Sequence, residues 1–112
     1  GLVSRGTTEI LLDALGQFDR MQAHAGHDLA DQLVIDAVCM RLSAGIETLA
    51  TLDPAVRADL FANDWQLMWW MRNRIAHGYL LVDAAIIRQT VTRDIPGIVA
   101  RIRHYLDTHR AD

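Results

Sequence analysis

"WQLMWWMRNRIAHGYLLVD", Trp65 to Asp83, decides how the 112-residue chain folds. At about 100° per residue, Leu67, Met68, Met71 and Ile75 fall on one side of a helix. Trp65, Trp69, Arg72 and Ala76 fall on a second side, and Gln66, Trp70, Asn73 and His77 on a third. Large apolar residues on all three sides leave little of this helix, about Trp65 to His77, facing water. It belongs at the centre of a bundle, or is shared between a core and a partner subunit. Gly78 is a helix stop, and "LLVD" leads to Asp83 as the cap of a last helix running to about His109. Pro96 should kink or divide that helix just before Ile95, because it removes a backbone bond and crowds the preceding turn.

The residues upstream keep the helical period. Ile10, Leu11, Ala14, Leu15 and Phe18 form the stripe of an amphipathic helix from about Thr8 to Ala23. Asp28 or Asp31 can cap a second helix to about Leu52, with Leu33, Ala37, Met40 and Ala44 on one stripe and Val34, Val38 and Leu42 beside it. Asp53-Pro54 opens a short helix to Phe61, and Asn63 or Asp64 re-caps the next. No segment alternates as a strand. The expected architecture is an all-α, up-and-down bundle of four or five helices, a single domain over residues 8–110 with residues 1–7 as a flexible N-terminus.

Half the residues are apolar and under a quarter charged, as in an ordinary globular domain. The apolar runs are far shorter than the roughly 20 residues that span a bilayer, and no signal pattern is visible, so the expectation is a cytosolic protein without a membrane role. The lone Cys39 excludes an internal disulfide and a cysteine-rich metal scaffold, and reads as a small buried apolar side chain. Net charge is −3, which excludes indiscriminate binding of polyanions. The charge is uneven: residues 1–64 hold four Arg against ten Asp and Glu, whereas residues 65–112 hold seven Arg against four Asp. The positive half carries the tryptophan–arginine stretch.

Arg72-Asn73-Arg74-Ile75-Ala76-His77-Gly78-Tyr79 reads as R-N-x-x-x-H-x-Y. It resembles the motif of the HEPN superfamily, specifically the HepT-like (DUF86-type) toxins paired with MNT-type minimal nucleotidyltransferase antitoxins. The preceding tryptophans and methionines, the "VD" after the tyrosine and the "TRDIP" of the last helix are similar to that group as well, so the likeness covers most of residues 10–106. The resemblance implies a HEPN-like bundle, a homodimer with the motif helix at its interface, and metal-independent cleavage of RNA within a type II/VII-like toxin–antitoxin module. It also implies that the partner nucleotidyltransferase attaches AMP to Tyr79 and so silences the toxin. No metal and no cofactor are expected.

The residue types suit that chemistry. Cutting RNA without a metal needs a group that moves a proton at the 2′-hydroxyl or the leaving oxygen, and a cation where charge builds on phosphate. A histidine titrating near neutrality, His77, fits the first role, and a permanently charged arginine, Arg72, the second. Asn73 is an i, i+4 neighbour of His77 and can fix its tautomer or hold a phosphate oxygen. Arg72 is five residues before His77, about 140° around the helix, so the two do not converge within one chain. Two copies meeting on a twofold axis could bring Arg72 of each to His77 of the other. Trp65, Trp69 and Trp70 would then serve an interface core, and stacking on RNA bases is their other use. AMP on Tyr79 would put negative charge beside Arg72, Arg74 and His77, where RNA phosphate should bind.

Plainer readings accompany these. An R-x4-H on a helix, taken alone, is more often structural than catalytic. His24, His27 and Asp28 in "HAGHD" could ligate a metal, but a solvated helix end is the commoner meaning. His104 and His109 read as surface residues near a helix C-terminus. Asp13, Asp19, Asp28, Asp31 and Asp36 are a solvated face or an antitoxin-docking surface. Glu47 is either exposed or turned inward onto Arg72 or Arg74. The rival to a nuclease is a non-catalytic helical subunit that binds a nucleotidyltransferase and its substrate.

Overall fold

The computed structural model describes residues 5–78 and 83–109, and all regular structure among them is helical. The elements are α1 (Thr7–Ala25), α2 (Gln32–Leu49), α3 (Pro54–Phe61), α4 (Asp64–Ala76), α5 (Ala84–Gln89) and α6 (Ile95–Thr108). A π-helical turn, Thr90–Asp94, joins α5 to α6, so these two form one irregular arm and the bundle has five helical units.

Local chemistry sets the helix ends. Asp31, Asp53 and Asp83 each accept a hydrogen bond from the backbone N–H two residues on, at 2.8–2.9 Å, which satisfies one of the orphan donors at a helix start. Pro54 occupies the first turn of α3, where its missing N–H costs nothing. Asn63 stands at the N-cap of α4, one of the two positions expected, but no side-chain cap bond forms there, and Asp64 pairs with Arg101 of α6 at 2.6 Å. The turn is made by Ala62 at φ 48°.

α1 and α2 form the main hairpin. Phe18 of α1 is fully buried against Gly45 of α2, where a Cβ would come within 2.4 Å of its ring. Glycine at 45 therefore sets how closely the two helices approach. Around this contact lie Leu11, Met21, Leu42 and Ile46, with Phe61 from α3 and Ile87, Ile95 and Ile102 from the arm, all fully buried. Burial of each such side chain is worth about 1.5–3 kcal/mol, so this cluster dominates the stability of the fold.

Two expectations are corrected. The inward stripe of α2 is Ile35, Val38, Cys39, Leu42, Ile46 and Leu49, whereas Leu33 and Met40 are 78% and 69% exposed. Both stripes are apolar at helical spacing, and periodicity alone does not say which one α1 covers. On α4, Met68, Met71 and Ile75 face the core, but Leu67 and Trp70 stay exposed, so a broad part of this helix does face water in the single chain. At the N-terminus, the first helix begins at Thr7, and Arg5 folds back onto Glu9 (3.7 Å) and Asp13 (3.1 Å).

Division of the last helix falls where Pro96 predicts. The N–H of Ile95 bonds back to the carbonyl of Thr90, five residues earlier, and the widened turn accommodates a proline in the first turn of α6. Among the described residues no helix is long and apolar enough to cross a membrane.

Candidate active site

α4 carries the motif on two opposed sides. Arg72 faces α2, where its Nε and Nη2 donate to Glu47 Oε1 at 2.8 and 2.7 Å. Its Nη1 donates to Asn73 Oδ1 at 3.1 Å, and the guanidinium lies 4.9 Å from the centre of the Trp69 ring. Of the two orientations open to Glu47, the chain adopts one in which the carboxylate is half-exposed yet engaged by Arg72. Arg74 is not its partner and instead lies 5.5 Å from the Trp70 ring.

His77 caps the C-terminus of α4 with its backbone N–H on the Asn73 carbonyl at 3.0 Å. Its exposed side chain lines a pocket of about 230 Å³ together with Trp70, Asn73, Arg74 and Gly78. Arg72 does not line this pocket. A single chain thus separates the permanent cation from the titratable ring, as the roughly 140° between them on a helix requires. Asn73 spans the division: its amide oxygen accepts from Arg72 while the residue lines the His77 pocket, and its NH₂ has no hydrogen-bond acceptor among the described residues.

Gly78 follows at φ 143°, a conformation L side chains rarely adopt, and this ends the helix directly after His77. Tyr79, the expected modification site, lies outside the described residues.

The three tryptophans divide. Phe61, Trp65 and Trp69 stack in a ladder with centroid spacings of 6.3 and 5.8 Å, Phe61 fully buried and the two tryptophans half-buried against the core, with Arg57 over Trp65 at 4.8 Å and Arg72 over Trp69. Trp65 and Trp69 therefore already have partners within their own chain. Trp70 is 50% exposed and is the tryptophan with apolar surface to offer a second molecule. The ladder was not anticipated: Trp65 and Trp69 stand at i, i+4 on α4, the spacing that aligns rings on one helical edge, but Phe61 belongs to α3 and meets Trp65 across the Ala62 turn.

Other candidates find local roles. Asp28 accepts from Ala30 N–H, Asp31 caps α2, Asp36 accepts from Gln32, Asp13 pairs with Arg5 and Asp19 lies 3.8 Å from Arg103. The acidic run is accordingly not one bare face. His24 and His27 belong to no group of three or more His, Cys, Asp or Glu able to hold a metal ion; there is none among the described residues. His109 stacks on Tyr105 at 3.9 Å. Burial, with Asp36 nearby, pushes the Cys39 thiol up to about 11, so it is a core side chain and not a nucleophile.

A family model for "Ribonuclease HepT-like" matches residues 11–105. The chain belongs to the HepT-like ribonuclease family, in agreement with its motif and its helical bundle. No curated protein and no solved structure gives a match.

Proposed function

We propose that the chain is the endoribonuclease toxin of a toxin–antitoxin pair, cutting RNA without a metal at a site assembled from two copies. His77 acts as acid/base at the 2′-hydroxyl and leaving oxygen. Arg72 clamps the phosphate, Asn73 orients it, and Glu47 fixes the direction of the Arg72 guanidinium. Arg74, over the Trp70 face, adds a second cation at the same opening. One observation carries the reading: Arg72 and His77 lie on opposed sides of α4, so either residue's natural complement is the other residue of a second α4. In a twofold pair α4 of one copy would pack along α4 of the other, so that Arg72 of each copy meets His77 of its partner. Attachment of AMP to Tyr79 by an MNT-type nucleotidyltransferase antitoxin would silence the site by charge and bulk.

The second reading, a non-catalytic subunit of a nucleotidyltransferase, is favoured by the tie of Arg72 to Glu47, which a purely structural ion pair would also show. Cleavage of a labelled structured RNA in excess EDTA separates the two, with intact mass recorded first to exclude a nucleotide adduct. The nuclease reading expects cutting by the unmodified protein and a loss of at least 100-fold in His77→Ala, the scale of acid/base catalysis. Unmodified protein that does not cut would shift the assignment to the subunit.

A further inference from the structure

A second cavity, of about 560 Å³, opens between α4 and the arm formed by α5, the π-helical turn and α6. Its floor, Met68, Met71, Ile95 and Ile98, is buried and continuous with the core. At its mouth, Leu67, Trp70 and Ile86 remain 67%, 50% and 42% exposed. The facing wall is polar: Gln89, Thr90, Arg93 and Asp94, all from the π-helical turn or the residue before it. Such turns are rare and concentrate at functional sites, and an apolar cavity of this size with a few polar groups on one wall has the form of a ligand pocket.

Position and charge indicate the ligand. Trp70 also lines the His77 pocket, so the two cavities adjoin across one indole. Cations stand at both ends: Arg74 over Trp70, and Arg93 on the far wall. Arg101 is neutralised by Asp64, whereas Arg93 and Asp94 have no ion-pair partner among the described residues. A single nucleic-acid strand needs this sequence of groups, with phosphates on the cations and an unpaired base between them on an aromatic and apolar surface. A protein helix laid in the cavity would bury the Arg93 and Asp94 charges, which is costly without dedicated partners. A base avoids that cost, because its polar edge meets the polar wall.

We propose that this cavity, walled by Trp70 and the Thr90–Asp94 turn, is the subsite for the unpaired RNA base next to the cleaved phosphate, and that Asp94 selects bases with an exocyclic amino group over uracil. A carboxylate only accepts hydrogen bonds, so it matches the amino group of cytosine, adenine or guanine and opposes the uracil carbonyl. The inference rests on the nuclease reading of the adjoining pocket for what occupies it.

Gly97 supplies the test. It lines the cavity, and a Cβ there would meet nothing within 4 Å, so Gly97→Leu adds apolar bulk at the cavity with no clash at its Cβ, and an unchanged far-UV circular dichroism spectrum and melting temperature check that the fold is kept. In a His77→Ala parent, which leaves RNA uncut, the binding of labelled oligo(C), oligo(U) and an abasic strand of equal length is measured by fluorescence anisotropy. Oligo(C) is expected to bind about tenfold more tightly than the abasic strand and several-fold more tightly than oligo(U), within the range of base–aromatic stacking. Gly97→Leu should return oligo(C) to the abasic level, and Asp94→Asn should bring oligo(U) up to oligo(C). Equal binding of oligo(C) and the abasic strand, or a base-dependent gain that survives Gly97→Leu, overturns the subsite. So does a Gly97→Leu variant whose self-association changes while its RNA binding does not, which would mark the cavity as a protein face. Cleavage that depends on His77 but is indifferent to Gly97→Leu defeats the subsite alone. Base-dependent binding lost in Gly97→Leu, with cleavage indifferent to His77→Ala, defeats the nuclease assignment alone.

Discussion

Arg72 is held on three sides, by the Glu47 carboxylate, the Asn73 amide and the Trp69 ring. The pair is partly solvated, with Arg72 27% and Glu47 48% exposed, so its worth to stability is about 0–1 kcal/mol, and the use proposed for it is to direct the guanidinium. Glu47→Gln should therefore leave the melting temperature within a few degrees of wild type. It should lower kcat several-fold while KM falls or stays level, because one negative charge leaves the phosphate site as the guanidinium loses its anchor. A rise in KM at unchanged kcat would argue against the positioning role. Cys39 offers a check on the core at the same scale. Its folded thiol is pushed from 9.0 to about 11, so folding favours the neutral form. That contribution is complete below about pH 9 and is lost as pH rises through about 11. The stability difference between wild type and Cys39→Ala, measured by urea unfolding, should accordingly shift against wild type between pH 8 and 11.

The hairpin of α1 and α2 depends on one missing methyl group. Gly45→Ala would place a Cβ 2.4 Å from the fully buried Phe18 ring, which has no room to retreat. Overpacking of this kind costs on the order of 1–3 kcal/mol and exceeds the gain in helix propensity of about 1 kcal/mol, so thermal unfolding of Gly45→Ala should move several degrees lower. An unchanged melting temperature would show that the helices can part freely. Most elements were legible in the sequence for physical reasons: Asp53-Pro54 and Asp83 carry caps, Pro96 forbids a continuous last helix, and α1 has one apolar stripe. Asn63 marked the start of α4 correctly but makes no side-chain cap bond, because the turn is made by Ala62 and Asp64 is drawn to Arg101. α2 misled because two apolar stripes compete, and only tertiary contact decides that Ile35, Cys39, Leu42 and Ile46 go inward while Leu33 and Met40 stay out. At the site, the opposition of Arg72 and His77 followed from residue spacing. The tie of Arg72 to Glu47 needed the packing of α2 on α4, and the cavity beside Trp70 needed the π-helical turn, neither of which has a short sequence signal.

At the level of the whole molecule, membership of the HepT-like ribonuclease family, an unequal distribution of charge and a divided motif point the same way. The basic half holds α4 and the arm, so each cavity has arginine in its lining although the chain as a whole is acidic: Arg74 at the smaller, and Arg93 and Arg101 beside Asp64 and Asp94 at the larger. What a single copy lacks is convergence: Arg72 turns to α2 and His77 to the opposite opening. The central claim is that a second copy supplies the missing half, and complementation between two inactive variants tests it most directly. Arg72→Ala and His77→Ala, each inactive alone, are co-expressed with different tags, and the mixed species is isolated and assayed for RNA cleavage in EDTA. If each site joins Arg72 of one copy to His77 of the other, the mixed dimer holds one intact site and one doubly altered site, and recovers about half the wild-type activity. A mixed dimer as inactive as its parents would mean that no site is shared between copies and would contradict the account.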